Sequence, residues 1–515
     1  MSKEGEVDSL ALRPRGDGTS LFDWLCGEIR AAILEARFPL GSRLPSTRAM
    51  ARKFHVARGT MVAVFEQLTE EGLLDGIVGS GTYVRAIRSV APSDRGPSRL
   101  RVSPRGRRRA LSVRGRKLAS QPFPKVLCNR SAETFRLDEP ALDLFPTEMW
   151  NRLSAGQPCR RRLELLRHGE PLGYPPLRAA IGDFIANARG VRCSAEQVVV
   201  TSGAQESLDL VARLLLDPGA RVWMEDPGHA AVTALLRAHD LHVIGVPVDA
   251  QGINCDVGRE RSLARFAYVT PACQFPLGVP MSPERRLKLL EWADEVGAWI
   301  FEDDSDGVLE LRHAPEALCS MDSSGSVIYS GSFNRLLFPS LRLGFLVFPP
   351  ELIKAAAAAL SITRRYHPTL EQATLAEFIE QGHLRLHLQR MREVYAARRK
   401  AVIEAGQTEL AGLMHFGDSQ TGLHVVGWLS SGMSESEVWG RAAAQRIDSV
   451  ALSDLTIERQ MPPGLVLGFG PTGEHALRTA IKRLRRVLRG VLLSSGGLRT
   501  EGDLTSRPLL WPAGS

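Results

Sequence analysis

Near the N-terminus, SLFDWLCGEIRAAIL places Leu21, Leu25, Ile29, Ala32 and Ile33 at helical spacing, the signature of one buried helix face. Ser20 stands where a cap is needed, and Asp23 falls in the first turn, where it suits the helix dipole. PLGSRLPSTRAMARKF then reads as a Pro/Gly loop and a second helix capped by Ser46. A turn at His55-Val56-Ala57 leads into RGTMVAVFEQLTEEGLL, a third helix with Met61, Val64, Phe65 and Leu68 on one side and Arg58, Gly59 and Thr60 at its front. Two helices joined by a short turn, the second led by polar residues, make a helix-turn-helix. LLDGIVGSGTYVR adds two strands around Gly79-Ser80-Gly81, a wing whose glycines admit close approach of backbone to phosphate.

Beyond residue 86 the periodicity stops. Residues 87–139 are rich in Arg, Pro, Ser and Gly and read as a linker. From 140 to 490 apolar strand-like runs alternate with amphipathic helices, the pattern of an α/β domain. Residues 1–17 and 491–515 read as loose ends. The predicted fold is therefore multidomain, an N-terminal α+β winged helix-turn-helix followed by an α/β domain.

Composition sharpens this picture at three points. The chain has 515 residues, too many for one ordinary domain, with 44% hydrophobic and 24% charged residues, as a globular protein requires. Its formal net charge of +8 is unevenly spread. Arg85 to Lys125 holds thirteen Lys or Arg against the single acid Asp94, a density that points to an anionic partner or a solvated linker. The seven cysteines are scattered without a close pair, which fits a reducing cytoplasm better than a disulfide framework or zinc site. Neither an apolar span of membrane length nor a signal core is present in the sequence, so no membrane partner is expected.

GSRLPSTRAMARKFHVARGTMVAVFEQLTEEGLL followed by GSGTYV resembles the winged-helix domain of GntR-family transcription regulators. The resemblance implies double-stranded operator DNA as partner. Arg43 and Arg48 would meet the phosphate backbone, Arg58, Gly59 and Thr60 would enter the major groove, Gly81 would sit at the wing tip, and Ser46 is counted with these DNA-binding residues.

In the large domain QVVVTSGAQESLDLVARLLL reads as a strand, a small-residue loop and a helix whose first amides favour a phosphate. AWIFEDDSDGVLEL is a buried run ending in Glu302, Asp303, Asp304 and Asp306; without a P-loop beside these acids, no metal centre is expected. Together with GEPLGYPPLRAAIGDF, EDPGHAAV, TPACQFPLG and FPSLRLGF, these segments resemble fold-type I aminotransferases, the PLP-dependent transferase fold, and specifically the MocR-type branch of the GntR family. By that resemblance Gly203, Ala204 and Gln205 would cradle the phosphate of pyridoxal phosphate. Gln274 would read the ring's hydroxyl side, Asp303 would pair with the pyridine nitrogen, and Arg342 would grip the phosphate.

Other positions depart from the family pattern. Ser305 replaces a tyrosine, His229 an aromatic, Cys273 a histidine, and Asn334-Arg335 the Ser-Lys that anchors the cofactor. An imine needs a neutral amine, and arginine stays protonated, with a pKa above about 12. Of the eight lysines only Lys288 is a conceivable substitute, and a weak one. Pyridoxal phosphate is accordingly expected to bind non-covalently or not at all, with Arg335 either pairing with Asp303 or meeting a small anionic effector. The resemblance implies a head-to-tail homodimer in the bacterial cytoplasm, on the nucleoid, whose aminotransferase-like domain dimerises and senses without transaminase chemistry. The rivals are an active PLP-dependent aminotransferase with an accessory DNA-binding head, and a purely architectural DNA-binding dimer.

Overall fold

A computed structural model of the chain describes residues 15, 20–35, 37–77, 80–85, 111–121, 133–156, 163–309, 316–417 and 422–494. The chain divides into two compact units, Met1–Arg109 and Ala110–Ser515.

In the first unit, helices α1 (Leu21–Leu34), α2 (Thr47–Lys53) and α3 (Arg58–Glu70) precede the antiparallel strands β1 (Leu74–Ile77) and β2 (Gly81–Val84). Ser20 Oγ accepts from Asp23 N and Ser46 Oγ from Ala49 N, so both expected caps form. Leu25, Ile29, Met61, Val64 and Leu68 are fully enclosed where α1 packs on α3. Arg30 closes this corner with a two-pronged pair to Glu71, Nε–Oε2 at 2.8 Å and Nη2–Oε1 at 2.6 Å. Residues 41–44 run beside the wing, with Leu44 N donating to Thr82 O and Val84 N to Ser42 O.

The second unit is built on an eight-stranded sheet: β3 (Val198–Thr201), β10 (Gly344–Val347), β9 (Val327–Ser332), β8 (Trp299–Asp303), β7 (Phe266–Val269), β4 (Arg221–Asp226), β5 (His242–Asp249) and β6 (Gly252–Ile253), in that spatial order. β9, β8, β7, β4 and β5 are mutually parallel, while β10 runs against both of its neighbours. The central strands bear apolar residues on both faces, because both faces are packed against the rest of the unit. A four-stranded antiparallel sheet, β11 (Met414–Phe416), β12 (His424–Leu429), β14 (Gly464–Gly468) and β13 (Val450–Ala451), is covered by the helix Glu474–Ser494.

Three boundaries differ from the sequence reading. A helix, α4 (Val113–Ser120), forms inside the expected linker, capped by Ser112, and Lys117 pairs with Asp240 of the large unit. Residues 133–139, assigned to the linker, also pack within the large unit. Glu133 N donates to Arg446 O, Asp448 N to Thr134 O and Gly468 N to Phe135 O, so this strand-like segment extends the smaller sheet. Its basic surroundings masked the buried Phe135 and Leu137. The last helix runs to Ser494, past the expected 490, because Val491 remains in the core. Among the described residues Cys26, Cys193, Cys255, Cys273 and Cys319 form no disulfide, and no helix is long and apolar enough to cross a membrane.

Just beyond the end of β8 lies a buried pair. Arg189 Nε meets Asp304 Oδ2 at 2.5 Å, Tyr329 donates its hydroxyl to the same oxygen at 2.7 Å, and both charged side chains are 1% exposed or less. Removing only the cation leaves a carboxylate stranded in the core. Arg189→Met is expected to destabilise the large unit by about 3–5 kcal/mol, most of which the double variant R189M/D304N recovers, as read from urea unfolding midpoints.

Candidate functional site

The first unit carries unneutralised arginines. Arg43, Arg48 and Arg58 are exposed and pair with no carboxylate among the described residues, whereas Arg30 is held by Glu71. Ala57 precedes α3 and offers no side-chain cap, which leaves the first-turn N–H groups beside Arg58 unclaimed by a side chain. Gly59 lies in that first turn, and a methyl group added there would meet nothing within 4 Å. Glycine weakens a helix by about 1 kcal/mol relative to alanine. With no internal contact requiring it, its smallness suits an outside surface that comes close. Thr60 is half-buried behind it.

Gly81 has a different local reason. Its φ is +116°, and a Cβ there would lie 2.7 Å from Arg43 Nε, so the missing side chain lets the guanidinium cross the wing. Ser46 is exposed, with its oxygen engaged as the cap of α2.

In the large unit the sequence-predicted residues gather at the ends of β3, β8 and β9. β3 passes through Ser202 and Gly203 into the helix Ala204–Leu215, which has no side-chain cap. Gly203 has φ +127°, and a Cβ there would strike Asn334 Nδ2 at 2.7 Å. Asn334 donates to Ser202 O and accepts from Leu343 N, both at 2.9 Å, tying this loop to the one that follows β9. Arg342, in a left-handed turn at φ +51°, reaches Ser202 Oγ at 3.3 Å and has no carboxylate partner among the described residues. Gln205 is exposed. Glu206, one turn into the helix, takes the Ser202 N–H and pairs with Arg364 and His367; burial opposes its charge, but these partners hold its pKa below the usual carboxylate range.

At the other end Asp303 Oδ2 accepts from the Tyr268 hydroxyl at 2.7 Å, and Oδ1 accepts from Ser305. Arg335 does not pair with Asp303, contrary to one of the two expectations. Its Nη1 lies 2.7 Å from Asp138 Oδ1 and its Nη2 3.0 Å from Asp306 Oδ2, with the side chain 15% exposed. Burial works against the guanidinium's charge, yet Asp306 and Asp138 outweigh it and raise its pKa further. Burial also pushes Asp306 up to about 6 despite Arg335. Asp138 was missed because it falls in the segment assigned to the linker. Its only sequence signal was alternation in TFRLD, and its φ of +59° marks it as a special backbone position.

Gln274 does not present its amide as the family pattern implies. The residue is fully buried, with Nε2 donating to Pro227 O and Phe275 O and Oε1 accepting from Leu277 N. His229 stacks on Phe275 at 4.8 Å between ring centroids. The four acids at the end of β8 and just beyond it serve four different partners: Glu302 the Leu318 and Cys319 amides, Asp303 Tyr268, Asp304 Arg189, and Asp306 Arg335. Lys288 is half-exposed on the helix Pro283–Val296 and pairs with Asp256 at 2.9 Å.

An uncapped helix start, a side-chain-free turn and an unneutralised arginine form an anion cradle at one end of the site. A guanidinium clamped by two acids occupies the other. Comparison with known proteins places both units. Residues 25–84 match the family of bacterial regulatory proteins of the gntR family, and residues 162–449 match aminotransferase class I and II. The chain is 35% identical to the probable rhizopine catabolism regulatory protein MocR of Rhizobium meliloti, over 92% of this chain and 94% of that one. The chain belongs to the MocR-type branch of the GntR family. The HTH-type transcriptional regulator TauR of Rhodobacter capsulatus is 32% identical over 82% of this chain and 87% of its own. In structure the large unit is similar to the α-aminoadipate aminotransferase LysN of Thermus thermophilus, at a TM-score of 0.68 and 27% identity over 74% of this chain and 98% of that one. The fold is thus a GntR winged helix-turn-helix with a fold-type I aminotransferase-like domain.

The residues present suit such a domain's cofactor at its phosphate end, where the uncapped helix start after Gly203 and the exposed Arg342 supply donors and charge for an anion. At position 335 they present a guanidinium rather than an amine.

Glu225 supports this site from beneath. Its carboxylate is enclosed, accepts from Thr270 and Gln274, and is driven up to about 7 by burial, in spite of those donors. Its folded pKa lies above the ordinary value near 4.5, so the folded state holds the extra proton and its stabilising effect fades as pH rises through 7. The stability of Glu225→Gln relative to the unmodified chain is expected to increase between pH 5 and pH 8, as measured by denaturant titration at each pH.

Proposed function

We propose that this MocR-type regulator binds operator DNA through Arg43, Ser46, Arg48, Arg58, Gly59, Thr60 and Gly81, and that its aminotransferase-like domain dimerises and senses a small anionic ligand without performing transamination. The observation that carries the second half is the Arg335 clamp. A cofactor-bonding amine must lose its proton to attack an aldehyde, and a guanidinium held between Asp138 and Asp306 does not. When bound, pyridoxal phosphate would supply an electron-withdrawing ring. Gly203, Ala204, Gln205 and Arg342 would hold its phosphate and Asp303 its pyridine nitrogen, with no covalent link to the chain.

Regulation would work by population shift: a ligand that prefers one arrangement of a head-to-tail homodimer favours or disfavours the spacing its two heads need on DNA. The basic stretch between the units would add salt-sensitive affinity for DNA of any sequence. The expected place of work is the bacterial cytoplasm, on the nucleoid.

Borohydride reduction after incubation with pyridoxal phosphate is expected to leave no adduct in the peptide bearing residue 335. Arg335→Lys alone is expected to gain an adduct poorly near pH 7 and better near pH 9, because Asp138 and Asp306 favour the protonated ammonium. Efficient trapping on the unmodified chain, read by peptide mass spectrometry, would restore the enzyme reading. On the DNA side, Arg58→Ala is expected to cost about 1–3 kcal/mol on a specific site with less loss on random DNA, and Arg43→Ala to weaken both and lower the log–log salt slope by about one. Fluorescence anisotropy across a salt series distinguishes the two.

A further inference from the structure

The clamp is over-supplied with acid and under-supplied with hydrogen bonds. Three carboxylates, Asp138, Asp303 and Asp306, act on the single guanidinium of Arg335. The Asp138 contact has the distance of an ion pair without the alignment of a hydrogen bond; Asp138 Oδ1, Asp306 Oδ1 and Arg335 Nε are all buried with no hydrogen-bond partner. Ser330 adds an independent sign. It is 0% exposed, its hydroxyl also lacks a partner, and it pairs in register with Asp303 across β8 and β9, which puts both side chains on the same sheet face. Unmet polar groups of this kind in a native fold are met by ordered water or by a ligand, and here they cluster beside the acids.

The two ends of the site therefore ask for opposite charges. The cradle of Ser202, Gly203 and Arg342 suits an anion, whereas the acids around Arg335 suit a cation with hydrogen-bond donors. One molecule satisfying both has a phosphate at one end and an ammonium at the other. It needs no lysine, since it has no aldehyde to anchor.

We propose that the site selects the amine form of a phosphorylated pyridine ligand, with pyridoxamine 5'-phosphate as the probe of that class, and holds its ammonium at Asp138 and Asp306 instead of bonding an aldehyde. This rests on the reading of the pocket as a non-covalent ligand site. Arg335 then acts as a placeholder cation that keeps the two acids apart and competes with the ligand's ammonium.

Isothermal titration of the full chain would compare pyridoxamine 5'-phosphate with pyridoxine 5'-phosphate, the same shape with a neutral hydroxyl in place of the ammonium, and with inorganic phosphate. The amine is expected to bind at least about tenfold more tightly than the alcohol, the discrimination one charge-assisted hydrogen bond supplies. D306N and D138N are expected to shrink that ratio, and R335M to enlarge it by removing the competing cation. Equal affinity for amine and alcohol, or a ratio that falls in R335M, overturns the proposal while leaving a ligand pocket in place. If neither ring compound binds more tightly than inorganic phosphate, the pocket reading falls with it. Each ratio comes from two ligands on one preparation, so a partly unfolded variant does not mimic either result.

Discussion

A buried charge cannot be left alone, and in the large unit that constraint falls on Arg335. The guanidinium never sheds its proton, so the fold around it must supply counter-charge wherever the side chain is enclosed. Here it draws Asp306 from the loop after β8 and Asp138 from the segment that extends the smaller sheet. One side chain thereby joins the end of the large sheet to the start of the unit. Asp138 adopts a left-handed backbone to reach it, a conformation more readily given to glycine. The nearby Arg189–Asp304 pair is a closed arrangement, with Tyr329 completing it, whereas the Arg335 cluster keeps atoms without partners. The Arg189 pair is sealed at 1% exposure or less, whereas Arg335 is 15% exposed, and the two also differ in completeness. Under the proposed reading, that difference separates structural scaffolding from a place able to receive a ligand.

The winged helix was largely legible in the sequence because its signals are local. Caps at Ser20 and Ser46, the apolar faces of α1 and α3, and the glycines of the wing each act within a few residues of themselves, and the caps and apolar faces reappear in the structure. Less legible was the reason for Gly81, which depends on Arg43 lying across it from a different segment. The order of strands and helices in the large unit was likewise recoverable from alternating apolar runs, and comparison with known families agrees with both assignments.

Side-chain partners inside the site were not legible, for a geometric reason. Asp303 and Asp306 are three positions apart, but one closes a strand and the other belongs to the turn beyond it, so they face different neighbours. Asp303 meets Tyr268 because β7 lies beside β8 in register, a relation that no local pattern encodes. Gln274 was assigned by its place in a motif, yet the tight loop holding it consumes its amide in backbone hydrogen bonds. Asp138 was hidden by composition, since a basic, proline-rich neighbourhood outweighed the two apolar residues that anchor its segment.

On the proposed reading, an arginine in place of an anchoring amine does not by itself empty the rest of the pocket. Had the site decayed into mere scaffold, small apolar residues or closed pairs would be the stable replacement, because a buried pair rarely outcompetes well-packed hydrophobic side chains. Instead the chain retains an unneutralised Arg342 beside a side-chain-free Gly203, and surrounds Arg335 with more acid than it can satisfy. The second feature costs stability in the free protein, because buried acids without full hydrogen-bond partners are unfavourable. A regulator gains from this arrangement. A ligand held by charge and shape alone dissociates when its concentration falls, and a covalently anchored cofactor reports that concentration less directly.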